Sequence, residues 1–172
     1  MSKEILDHTG DSGGPAGPIG RTVLITGFIL GALLLGSGYL IEALPFEGHW
    51  VSQLRVGAML FLLWLLINTG LRTSEKLMKG LEVGWLFIAG MGIGLAGHLV
   101  QSLGFWAVAK YTGAMDTWMA GVGVSLLAPV LAVSLMVTTL TVITLRVKRK
   151  LVANGLRLLL FALLALLIYY FM

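Results

Sequence analysis

The feature that most constrains this chain is a succession of long apolar stretches almost free of charge. Five follow one another, at about Thr22–Leu44, Val51–Leu71, Val83–Ala109, Thr117–Leu145 and Leu151–Met172. A helix needs about 20 residues to cross roughly 30 Å of hydrocarbon, and each run reaches that length. Transmembrane strands would alternate with a period of two over about 10 residues. These runs are apolar throughout, so they read as helices. The expectation is an all-α, polytopic membrane helix bundle with five transmembrane helices, or four if the leucine-rich last run lies at the interface. Pro45 ends the first run. Pro129, near the middle of the fourth, predicts a kink, because proline removes a backbone donor and crowds the preceding turn.

Charge supports the same class. Only 12% of the residues are charged, against about 25% in a soluble domain. That excludes a water-soluble globular domain, a disordered chain and a nucleic-acid-binding module. Residues 1–20 are polar and rich in Gly and Pro, and read as a disordered tail, leaving 21–172 as the bundle. The tail is too long and acidic for a signal peptide, so the first run reads as a retained anchor. The absence of cysteine rules out disulfides and thiolate metal sites.

The basic residues fall on alternate connections. Lys3, Arg21, Arg72, Lys76, Lys79, Arg146, Lys148, Arg149, Lys150 and Arg157 lie on one side, and only Arg55 and Lys110 on the other. By the positive-inside rule the N-terminus is cytoplasmic and the C-terminus outside. Trp50, Trp106, Tyr111, Trp118 and Tyr169–Phe171 then sit at the outer interface and Trp85 at the inner one. This places the chain in the cell membrane as a multi-pass protein of bacterial inner-membrane type. The connections are short, about six, eleven, seven and five residues, so no extramembrane piece can bury a core.

Two motif matches fail on context. Gly10-Asp11-Ser12-Gly13-Gly14-Pro15 copies a serine-protease nucleophile motif, but a triad needs a folded scaffold that a short tail cannot supply. Gly92-Ile93-Gly94-Leu95-Ala96-Gly97 fits a dinucleotide fingerprint, yet it lies inside an apolar helix instead of between a strand and a helix. Small residues at a helix contact explain it better. Gly27 and Gly31, Gly90 and Gly94, and Gly121 with Ser125 form such rows, which predicts that runs one, three and four make the packed centre.

Four polar features remain. His98, Gln101 and Ser102 fall near the midplane of run three, with Asn68, Thr138 and Ser125 as candidate neighbours on other helices. Polar groups at that depth face the bundle interior or a water-filled path. Interhelical hydrogen bonding is the leading reading of His98. A proton-relay or substrate role, or axial ligation of a haem or chlorophyll-type ring beside Gly94, are the alternatives. At the outer rim lie Glu42, Glu47, His49 and Arg55, where a Glu42–Arg55 pair would offset two desolvation costs. Glu47 and His49 are too few for a metal site. Thr138, Thr139, Thr141 and Thr144 are expected to bond their own helix backbone. The basic loop 146–150 sets topology and attracts anionic lipid.

The order of features resembles a family of small bacterial membrane proteins of unknown function with four helices, a basic second loop and a basic segment after the fourth helix. The matching stretches are Gly57-Ala58-Met59 through Gly70-Leu71-Arg72, Gly84 through Gly94, and Arg146–Lys150, while run five departs from the pattern. The resemblance implies no activity. Because no carboxylate pair or nucleophile–base set lies within the runs, the leading expectation is a non-catalytic subunit or scaffold of a larger membrane complex. The alternatives are a small carrier or channel using His98 and Gln101, and a tetrapyrrole-binding subunit. The expected partners are membrane lipids and other membrane subunits or further copies, not nucleic acid.

Overall fold

A computed structural model describes residues 16–43, 49–113, 126–156, 158, 159 and 162, with backbone only at 49 and 52. It is all-helical. Four helices are long and apolar enough to cross a membrane: α1 (Ala16–Glu42), α2 (His49–Leu77), α3 (Val83–Thr112) and α4 (Leu127–Arg146). The chain turns helical again over 150–156.

α1 starts five residues inside the stretch expected to be tail. Pro18 stands in its first turn, where a backbone N–H has no intrahelical acceptor and its loss costs nothing. Thr22 Oγ1 donates to the Pro18 carbonyl at 3.0 Å, satisfying an acceptor in the same turn. α2 also exceeds its apolar run and continues through Arg72–Lys76 to Leu77. The polar extension folds back on its own backbone: Thr73 donates to Thr69 O and Ser74 to Gly70 O. The α2–α3 connection therefore shrinks from the expected eleven residues to 78–82. It turns at Gly80, whose φ of 82° is in the left-handed region that favours glycine.

α3 runs unbroken and ends on Gly113, again left-handed with φ 76°, its N–H capping the Ala109 carbonyl. The predicted mid-helix kink at Pro129 is not found, because Pro129 lies in the first turn of α4. Residues 117–125, Gly121 and Ser125 among them, lie outside the described residues, as does most of the fifth run.

α3 packs on α1, α2 and α4, and α2 likewise touches the other three, while α1 and α4 sit on opposite flanks without meeting. The sequence reading had runs one, three and four at the centre. Those three are the more buried, 33%, 39% and 33% of their spans against 22% for α2, but α1 and α4 do not meet, and α2, whose Leu63, Ile67 and Leu71 are fully buried, touches all the others. Only 22–39% of each span is buried, and Phe28, Phe61, Trp64 and Leu99 point outward among many other apolar side chains. Apolar exposure on that scale requires an apolar solvent. Lipid tails are as apolar as leucine, so helix association has to come from close packing and not from the hydrophobic effect.

Glycine supplies that packing. A Cβ on Gly31 would lie 2.6 Å from the Gly97 carbonyl oxygen, and one on Gly97 would lie 2.6 Å from Leu30 Cδ2. α1 and α3 thus touch backbone to backbone. Gly90 and Gly94 present the other side of α3 to Thr138 and Ser134 of α4.

Candidate functional site

Along α3 the buried residues form one stripe: Leu86, Ala89, Gly90, Ile93, Gly94, Gly97, His98 and Gln101. Spacings of three and four keep that stripe on one face. It carries His98 and Gln101 into the bundle interior, while Leu95, Leu99 and Leu103 face outward. His98 is 4% exposed and Gln101 8%. His98 and Ser102 are both engaged with other groups of the chain. The Gln101 Oε1 atom is buried and has no hydrogen-bond partner among the described residues.

Asn68 does not join this cluster. Its Oδ1 accepts from Arg72 Nε at 3.1 Å and lies 3.5 Å from Thr141 Oγ1, whose proton goes to the Val137 carbonyl at 2.9 Å. Gly90 faces Thr138 and Gly94 faces Ser134, so Thr141 lies on the inner side of Gly90 and His98 on the outer side of Gly94. The sequence placed Asn68 and His98 together because both are polar and intramembrane. The antiparallel packing separates them into two layers. Thr138, another candidate neighbour of His98, is spent on Gly90.

The threonines divide in the same way. Thr139, Thr141 and Thr144 donate to the carbonyls of Leu135, Val137 and Leu140, as expected. Thr138 is fully buried, and its Oγ1 has no hydrogen-bond partner among the described residues. Helix α4 presses it against Gly90, so it serves shape more than hydrogen bonding. The room beside Gly94 that a flat macrocycle would need is filled by Ser134.

Where α1 ends and α2 begins, Arg55 Nη2 donates to Glu42 Oε1 at 2.6 Å, bridging the two helices across the first hairpin. Both side chains are about half exposed, 50% and 55%. Glu47 lies outside the described residues, and the His49 side chain is likewise undescribed. Among the described residues no group of three His, Cys, Asp or Glu could hold a metal ion.

Below this pair opens a cleft of about 530 Å³. Leu34, Ser37 and Gly38 of α1, Arg55, Val56, Met59 and Leu60 of α2, Gln101 and Phe105 of α3, and Leu126, Pro129 and Val133 line it. α4 starts at Leu127, which the Gly94–Ser134 facing places level with Gln101, while α1, α2 and α3 continue outward. Gln101 and Arg55, assigned to separate clusters in the sequence, therefore share one cavity.

Arg146 was missed as an individual residue and read only as part of the basic loop. It is two-thirds buried. Its Nη2 donates to Glu75 Oε2 at 3.0 Å and also to the Leu81 carbonyl. It therefore ties the end of α4 to the end of α2 and to the α2–α3 turn. The available signal was the presence of Glu75 and Arg146 at the inner ends of antiparallel helices.

The four long apolar helices fit a multi-pass helical membrane protein. No family model, curated protein or solved structure matches the chain.

Proposed function

We propose that the chain is a non-catalytic subunit or scaffold of a larger membrane assembly. The observation that carries this reading is the backbone contact of α1 on α3, continued by α4 on the opposite face of α3. Neither interface leaves a gap for one helix to slide past the other. A transporter that alternates between two states needs parts that rock, whereas a scaffold needs parts that hold. Among the described residues the buried polar side chains are Thr22, Ser74, His98, Gln101, Ser134, Thr138 and Thr141, with no carboxylate among them to pair with His98.

The orientation belongs to the same proposal. The basic ends of α2 and α4 face the cytoplasm, the Glu42–Arg55 rim faces outward, and the last run crosses as a fifth span in a bacterial inner membrane. Lys148, Arg149 and Lys150 are exposed, and each contributes about 1 kcal/mol of attraction to an anionic leaflet.

Extraction in mild detergent tests the reading. The protein should migrate in a particle much larger than an 18.4 kDa chain or its dimer, with a second polypeptide in fixed ratio. A lone monomer or homodimer that moves solute in liposomes overturns it. The second reading, a small carrier, is favoured by the cleft that reaches Gln101. Under that reading His98→Ala abolishes flux, and under the scaffold reading it lowers stability alone.

A further inference from the structure

A second cleft, of about 610 Å³, opens between the first turns of α1 and the end of α2. Thr26 lies on its floor, where the two helices meet: a Cβ on Gly70 would be 3.3 Å from Thr26 Cγ2. Thr22 and Thr73 also line it, but each hydroxyl already donates to a carbonyl of its own helix. Arg21 is the one charged residue among the described lining residues. It is exposed, and no carboxylate among the described residues pairs with it. Ile25 and Leu77, each 62% exposed, form an apolar wall open to the surroundings. Arg21, Ile25 and Phe28 follow at spacings of four and three, which keeps them on one face of α1. Phe28 is 63% exposed, so an apolar track leads from the guanidinium into the hydrocarbon. Arg21 stands just before the first apolar run, at the level of lipid headgroups. Arginine holds phosphate through paired N–H donors, and basic pockets between membrane helices take anionic headgroups.

We propose that this cleft seats one phospholipid of net negative charge, its phosphate on Arg21 and an acyl chain along Ile25 and Phe28. Inorganic phosphate would meet the same guanidinium but leave the apolar wall unused. Lys76, exposed and three residues beyond Thr73, adds a positive charge on the same face of α2, against the cationic group of a zwitterionic headgroup. The site rests on the chain spanning a bilayer and not on the subunit reading.

Native mass spectrometry of the full chain, released from detergent with added phosphatidylglycerol or phosphatidylcholine of identical chains, counts the lipids that stay bound. One phosphatidylglycerol should bind saturably and about tenfold more tightly than phosphatidylcholine, the worth of one charge-assisted hydrogen bond. Arg21→Gln should erase that preference. Thr73→Trp, at an exposed wall position, should narrow the cleft and remove the saturable binding with Arg21 in place. Changing Lys148, Arg149 and Lys150 together to Gln should leave it intact. Equal retention of the two lipids, a preference surviving in Arg21→Gln, tight binding surviving in Thr73→Trp, or its loss in the triple variant would each overturn the site. Displacement by millimolar inorganic phosphate would overturn the lipid as its ligand. Residues 1–15 hold Glu4, Asp7 and Asp11. The combined Glu4→Gln, Asp7→Asn and Asp11→Asn variant should bind as the natural chain does. A preference found only in that variant would mean that the tail fills the cleft, and would likewise overturn the proposal.

Discussion

Single residues in this protein matter mainly through the space they leave empty. Gly31 and Gly36 lie five positions apart in α1, yet a Cβ on Gly31 meets the Gly97 carbonyl and one on Gly36 meets nothing within 4 Å. Gly31→Ala must separate α1 from α3 and should cost about 1–3 kcal/mol, the usual price of overpacking. Gly36→Ala should cost nothing, since alanine is the better helix former. Unfolding of both variants in detergent measures the difference. Thr138 gives the reverse case. Thr138→Val keeps its shape against Gly90 and removes a buried hydroxyl that has no hydrogen-bond partner among the described residues, so stability should hold or rise by about 1 kcal/mol; a loss of similar size would mean that the hydroxyl is satisfied after all. The small-residue rows were legible because GxxxG spacing is itself a packing rule. Gly97, which receives Leu30 of α1, was read as a contact residue within 92–97, but Gly104, which receives Leu35, was not singled out. They continue a seven-residue repeat from Gly90, a period that returns nearly to the same helix face. The layer separating Asn68 from His98 was not legible, because helical periodicity fixes the face a residue occupies but not the vertical offset between two helices.

At the scale of elements, apolar length located the four long helices but not their ends. α2 outruns its apolar stretch by six residues, since a helix leaving hydrocarbon can continue wherever its side chains satisfy themselves, as Thr73 and Ser74 do. Pro129 was read as a kink because α4 was drawn too long. Placed in a first turn, the same residue marks a start. The ends matter because the extended α2 brings Glu75 to Arg146. Arg146→Gln should loosen the joint among α2, α4 and the α2–α3 turn. Hydrogen bonds to charged groups contribute roughly 1.5–3 kcal/mol, so amide exchange at Met78 and Leu81, whose N–H groups bond Ser74 O and Met78 O, should accelerate about tenfold or more. Unchanged exchange would mean that the turn holds itself.

For the whole molecule, scarce charge points to the class, and the placing of the twelve basic residues carries the proposed orientation, while the buried surface is small, glycine-lined and tight. Reporter fusions at residues 76 and 112 should give cytoplasmic and external signals respectively, and a fusion at the C-terminus an external one. A cytoplasmic C-terminus would remove the fifth span and leave the bundle at four. The membrane class was readable from the sequence because bilayer thickness imposes a length on every run. No activity was readable from it, because apolar periodicity says nothing of what lies against the outward faces of the helices. The central claim is that this bundle holds a place in a larger assembly. Mass-spectrometric crosslinking in native membranes tests it most directly. The account predicts one or more other membrane polypeptides linked to this chain at constant ratio across preparations. Links confined to lipid and to further copies of the same chain would contradict it.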